Sequence, residues 1–123
     1  MVKEAQLRIK YMTSKDCIFC KIISGDIKSN IVLGAENVIA IPDINPVADV
    51  HILIVPKKHI ESVASIIDND GPILVEMMDV AKKLVLKNKI PAYRLTFNGG
   101  KFQHVSHLHM HLLAGSRIDW NKL

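Results

Sequence analysis

The run His107-Leu108-His109-Met110-His111-Leu112 alternates imidazole and apolar side chains without a break. Alternation at a period of two belongs to an extended strand, whose successive side chains point to opposite faces. A helix would scatter the same residues around its axis. Read as a strand from His107 to Leu113, the run sends Leu108, Met110 and Leu112 into a core and His107, His109 and His111 to the other face. Neighbouring histidines there are ~6.5–7 Å apart. One such histidine is easily a packing residue, but three in strict alternation have little use in packing. Two chemistries fit them. Two histidines two apart on a strand can share a zinc ion. Alternatively, a neutral imidazole attacks phosphorus while its neighbours neutralise phosphate charge. The flanking residues favour phosphate. Asn98-Gly99-Gly100 offers a tight turn with free backbone donors. Asp43 lies in a loop stiffened by Pro42 and Pro46, where a carboxylate can accept from two ribose hydroxyls.

The rest of the chain supplies a sheet for that strand. Ile31-Val32-Leu33 and 37–41 read as two strands joined at Gly34-Ala35-Glu36, His51 to Val55 as a central strand ended by Pro56, and Tyr93 to Phe97 as a fourth. Pro42 to Pro46 is expected to be loop, because proline lacks a ladder donor. Asp16 is expected to cap a short helix carrying Ile18, Phe19, Ile22 and Ile23 and ending at Gly25. Asp68 or Asp70 can cap a longer helix with Pro72 in its first turn. Its apolar stripe runs through Ile73, Leu74, Met77, Met78, Ala81, Leu84 and Val85, with both methionines in the core. The expected fold is α+β: a five-stranded antiparallel sheet with one long and one short helix.

One domain suits 123 residues. Of the formal charge of +4, residues 1–15 carry +3 through Lys3, Arg8, Lys10 and Lys15 against Glu4. The basic excess therefore sits in an N-terminal arm expected to be loosely held, with the folded domain over 16–123. A nucleic-acid reader would carry it on the folded face that reads, so no nucleic-acid partner is expected. No apolar stretch approaches a membrane span, and no secretory leader is evident, so a soluble cytoplasmic protein is expected.

The run His107 to Leu113 resembles the signature of the histidine triad (HIT) family, in which histidines and hydrophobic residues alternate. Further blocks are similar in order: Cys17 to Ile23, Asp43-Ile44-Asn45-Pro46, His51 to Ile60, and Tyr93-Arg94 leading to Asn98. The resemblance covers residues 16–123 and lies nearest the nucleoside phosphoramidase branch. It implies a homodimer whose two sheets join edge to edge, and a purine nucleoside monophosphate or phosphoramidate as ligand. Ile18, Phe19, Ile41 and Ile44 match base-lining positions, and Asp43 matches the ribose carboxylate. Asn98, Gln103, His109 and His111 match phosphate contacts. His109 matches the nucleophile, with His51 and His107 orienting the network, and catalysis needs no cofactor. Other enzymes of this scaffold cleave dinucleoside polyphosphates or related nucleotidyl conjugates, and a slow nucleotide-sensing adaptor is the reading from another class.

Two features stand apart. Many members carry a hydroxyl residue after the glutamine, where this chain has His104, a candidate proton donor to the leaving group. Cys17-x-x-Cys20 alone is half a metal site. Some members pair such cysteines with the histidines matching His59 and His107, which implies a closed structural zinc site. The alternative is a pair of reduced thiols.

Overall fold

A computed structural model describes residues 16–123; the basic arm of residues 1–15 lies outside the described residues. The first element is helix α1 (Ile18–Ser24), followed by strands β1 (Leu33–Gly34), β2 (Val38–Pro42) and β3 (Ala48–Pro56). Helix α2 (Gly71–Lys87) precedes β4 (Tyr93–Phe97) and β5 (Met110–Ile118). The strands form one sheet in the order β1-β2-β3-β5-β4, and every neighbouring pair is antiparallel. The last strand in sequence is thus inserted between β3 and β4, so it is paired on both edges. No helix among the described residues is long and apolar enough to cross a membrane.

Strand alternation divides the apolar residues between two layers. Val38 and Ala40 of β2, Ile54 of β3, and Met110 and Leu112 of β5 face α2, where they pack on Met77, Val80, Ala81 and Leu84. Ile39, Ile41, Leu53 and Val55 occupy the opposite face and pack under α1 through Phe19 and Cys20. That helix is short, and it leaves part of its face of the sheet open beside Asp43 and His111.

Several elements differ from expectation. The terminal strand begins at Met110, not His107: Met110 pairs with Ile54 and Phe97, β4 ends there before Asn98-Gly99, and β3 runs on to Pro56 without a ladder partner on this side. The segment 107–109 stays extended by other means, with the Leu108 N–H donating to the Ile60 carbonyl (2.6 Å). The alternation of faces survives, since Leu108 is in the α2-side core. At the other end β5 runs on to Ile118, past a register shift opposite Ala48–Val50. Gly115 there has φ +117°, and the space its Cβ would take is filled by Asp49, whose carboxylate accepts from Ser116 N–H (3.0 Å).

Pro42 is the last residue of β2, opposite Ile52. The ladder needs no donor from it, because Asp43 N–H supplies the next bond to the His51 carbonyl (3.0 Å). Cys17, not Asp16, is the N-cap of α1, its Sγ accepting from Cys20 N–H. Gly25 ends α1 in the left-handed conformation, φ 87°. Asp70 precedes α2 but does not cap it with its side chain. Its carboxylate accepts instead from Ile67 N–H (3.0 Å) and Lys58 Nζ (2.6 Å). Burial alone would raise the Asp70 pKa; the Ile67 and Lys58 partners outweigh it and hold the pKa below the ordinary value. This pair, its carboxylate buried and its ammonium partly exposed, ties α2 to the chain just before His59. Met78 is 53% exposed rather than core. The buried line of α2 is Met77, Val80, Ala81 and Leu84, which leaves Met78 rotated toward a groove shared with Tyr93 and Leu95.

Candidate active site

A cavity of about 540 Å³ opens on the α1 side of the sheet. Ile18, Phe19 and Ile22 of α1 form one wall, and Ile41 of β2 and Leu53 of β3 form the floor. Asp43, Ile44 and Asn45 lie along one rim and the exposed His104 along another, with the buried His109 and His111 at the bottom. One end is therefore an apolar slot and the other a polar one, which suits a ligand with a flat apolar head and a charged tail. Ile44 stands 86% exposed, as a lip rather than a buried wall.

The histidines are joined by hydrogen bonds whose directions can be worked out one at a time. Val47 N–H donates to His51 Nδ1 (3.1 Å), so His51 must carry its proton on Nε2. That proton lies between His111 Nδ1 (2.8 Å) and Asp43 Oδ2 (3.3 Å). His111 therefore accepts at Nδ1, and its own proton sits on Nε2, a buried atom with no partner among the described residues. An orphan donor at the bottom of a cavity is costly unless a ligand oxygen meets it. Thr96 Oγ1 and Asn98 Nδ2 are buried and unpartnered as well. Thr96 is paired with His111 across the sheet.

His109 has the complementary arrangement. Its Nδ1 lies 2.7 Å from the His107 carbonyl, and a carbonyl only accepts, so Nδ1 holds the proton and Nε2 the lone pair. Burial lowers the His109 pKa, partly offset by the bond to His107 and the charge of Asp43. Burial, followed by repulsion from His109 and His51, lowers that of His111 to about 3. His51 is lowered by burial against the pull of Asp43. Both cavity histidines are thus neutral near pH 7, one presenting a lone pair and the other an N–H.

His107 is not in this cavity. Burial lowers its pKa to about 4, against the raising effect of the Pro56 bond. Its Nε2–H donates to the Pro56 carbonyl (2.8 Å), which turns Nδ1 toward Cys17 Sγ (3.3 Å), Cys20 Sγ (3.5 Å) and His59 Nδ1 (3.0 Å). Cys20 Sγ is 3.3 Å from His59 Nδ1. One ligand atom from each of these four residues lies within 4.8 Å of the other three. A tetrahedral zinc with bonds of ~2.0–2.3 Å separates its ligands by a little over 3 Å. The two thiols, the two Nδ1 atoms and the carbonyl that fixes the His107 ring fit such an ion.

Gln103 is placed elsewhere: its amide donates to the Glu61 carbonyl (2.7 Å), which turns it from the cavity. Asn98 follows β4 and is absent from the cavity lining, although its amide remains unpartnered. His104 is exposed on the rim, Nε2 3.3 Å from the Leu123 carbonyl. Sequence reasoning missed Ile22, Leu53, Lys28, Ser29 and Lys122 as lining residues. Ile22 was within reach, one helical turn beyond Ile18 and Phe19. Leu53 needed the β2–β3 register that sets it opposite Ile41.

Residues 16–122 match the family described as "Scavenger mRNA decapping enzyme C-term binding". The chain is 38% identical over 112 residues to the adenosine 5'-monophosphoramidase of Saccharomyces cerevisiae, covering 85% of this chain and 69% of that protein. It is 34% identical over 125 residues to the 14 kDa zinc-binding protein of Zea mays, covering 98% of each. Among solved structures, the HIT family hydrolase of Clostridium thermocellum superposes with a TM-score of 0.80 at 44% identity, over 85% of this chain and 94% of that one.

Proposed function

This chain belongs to the histidine triad (HIT) family, and from that premise we propose that it hydrolyses purine nucleoside 5'-phosphoramidates through a nucleotidyl intermediate on His109. The single observation that carries this reading is the pair of opposite tautomers: a lone pair at His109 Nε2 beside an orphan N–H at His111 Nε2. The purine lies in the slot between Ile18, Phe19 and Ile41, and Asp43 accepts from the ribose hydroxyls. His111 Nε2–H meets a phosphate oxygen. His109 Nε2 attacks phosphorus, a P–N(His) bond forms, and the P–N bond to the amine breaks. The departing amine takes a proton from His104 on the rim. Water then attacks phosphorus and gives its proton to His104, the P–N bond to His109 breaks, and the nucleoside monophosphate leaves with both histidines restored. Donors fixed before the reaction need no reorganisation as phosphate charge develops.

His51 acts by holding the tautomer of His111, and His107 by offering its carbonyl to His109. Cys17, Cys20, His59 and His107 hold a structural zinc ion, which would brace α1 and the segment before β5 without entering the reaction. The protein works as a homodimer. The β4 edge, with Tyr93 and Phe97 exposed at 49% and 40%, supplies the apolar surface and the open ladder for pairing.

Adenosine 5'-phosphoramidate and a diadenosine polyphosphate, offered separately, test the reading. Release of ammonia and AMP from the first, much faster than cleavage of the second, is expected. Loss of at least about 10³-fold in kcat/KM is expected in His109→Ala. Faster cleavage of the polyphosphate would move the substrate class, and an active His109→Ala would remove the nucleophile.

A further inference from the structure

Helix α1 belongs to two sites at once. Its cysteines enter the Cys17–Cys20–His59–His107 cluster, while the two residues between them, Ile18 and Phe19, line the nucleotide cavity. Phe19 is 5% exposed and stands edge-on to both histidine rings that matter: 5.7 Å from His107 at 89° and 5.0 Å from His109 at 71°. A second connection runs through the backbone, because the His107 carbonyl fixes the His109 ring at 2.7 Å.

We propose that Phe19 couples metal occupancy of the Cys/His cluster to nucleotide binding, so that each ligand tightens the other. The coupling rests on the zinc reading given above and adds a consequence to it. A tetrahedral ion pins Cys17 and Cys20, and therefore both ends of the Ile18-Phe19 segment. It also pins the His107 ring against which Phe19 packs. Phe19 is then held in the position that walls the base slot and packs against the nucleophile. Without the ion, the two cysteines are held only by weak sulfur hydrogen bonds, from Cys20 N–H to Cys17 Sγ at 3.4 Å and between the thiols and the imidazoles of His107 and His59 at 3.3 Å, which fix the helix end less firmly than metal bonds. The nucleotide must then order this wall itself, and its affinity falls. Linkage makes the effect reciprocal: a base seated against Phe19 orders the cysteines and raises metal affinity by the same factor. Phe19 is a positioning residue, acting on the nucleophile and the base wall rather than on phosphorus.

The test measures both binding constants on the full chain. Zinc affinity is read by competition with a chromophoric chelator, with and without saturating AMP. AMP affinity is read by calorimetry on zinc-loaded and stripped protein. AMP is expected to tighten zinc at least about fivefold, and zinc to tighten AMP by the same factor. In Phe19→Leu, which keeps apolar bulk but loses the ring contacts, both ligands still bind and the factor falls to about 1. In Cys20→Ser, zinc uptake is lost and AMP binds as to the stripped protein, which ties the effect to zinc held by the cluster rather than to zinc bound elsewhere. A wild-type factor within twofold of unity, or an unchanged factor in Phe19→Leu, overturns the coupling alone. Absence of zinc uptake by the wild-type chain overturns the metal reading and the coupling with it, while AMP binding still reports on the pocket.

Discussion

Replacing His51 with alanine removes the middle of the chain Val47 N–H → His51 → His111. Two losses follow from the distances. The Val47 N–H, in a residue only 7% exposed, loses its acceptor at 3.1 Å; an unpartnered buried donor costs about 1–3 kcal/mol of stability. His111 Nδ1 loses its donor at 2.8 Å, so nothing now directs the imidazole proton to Nε2. If the proton moves to Nδ1, Nε2 offers a lone pair to a phosphate oxygen where it had offered an N–H. Removing one preorganised donor of this kind costs about 2.7–4 kcal/mol in the transition state, or 10²–10³ in rate. Steady-state release of amine from adenosine 5'-phosphoramidate should therefore show kcat/KM down by that factor, with a parallel fall in the unfolding midpoint. His51→Gln, whose amide nitrogen can take the place of Nε2, should recover part of the rate. A His51→Ala enzyme within about threefold of wild type, though folded, would refute the tautomer argument.

The same neutral histidines make stability depend on pH. The pKa of His111 falls from 6.5 to about 3 on folding, so its stabilisation is full above pH 6.5 and is lost as the unfolded chain takes up the proton first, between pH 6.5 and about 3. The ceiling is about 5 kcal/mol, and urea unfolding at stepped pH should show stability flat above pH 7 and falling below it. Because burial also lowers the His109 pKa, the acid limb of kcat/KM should have its midpoint below 6.5, read from a pH–rate profile. Asp43→Asn should weaken AMP binding by about tenfold and weaken 2',3'-dideoxy-AMP far less, since within the ligand only the ribose hydroxyls meet a carboxylate that also faces His51 Nε2 (3.3 Å) and Asn45 N–H (2.8 Å). Gly115→Ala should cost about 1–3 kcal/mol in chemical denaturation without altering the pocket, because φ +117° disfavours a side chain and Asp49 already fills the space.

Local chemistry carried much of this in the sequence. The alternation over 107–112 separated core from site even though the ladder begins only at Met110, because an extended segment alternates whether or not it is paired. The Gly25 stop and the β3 core run were legible for similar reasons. What was not legible depended on the partners of each group. Asp68 or Asp70 reads as a cap because each precedes a helix, but Lys58 and Ile67 N–H take the Asp70 carboxylate. Met78 fell on the apolar stripe by spacing, yet the sheet covers only the side centred on Met77 and Val80. His107 looked like its two companions along the strand. Its separation from them comes from the Pro56 carbonyl, 51 residues away, which turns the ring toward the cysteines. Thr96 carried no signal at all without the register that sets it opposite His111.

In the proposed reaction His109 Nε2 forms a bond to phosphorus. Rapid acid-free quenching of enzyme mixed with excess adenosine 5'-phosphoramidate, followed by intact-mass and peptide mass spectrometry, reads that bond directly. A mass increase of one adenylyl group is expected, localised to the peptide containing His109 and absent from His109→Ala. An adduct mapping to another residue, or full turnover with no adduct at any quench time and an active His109→Ala, would contradict it.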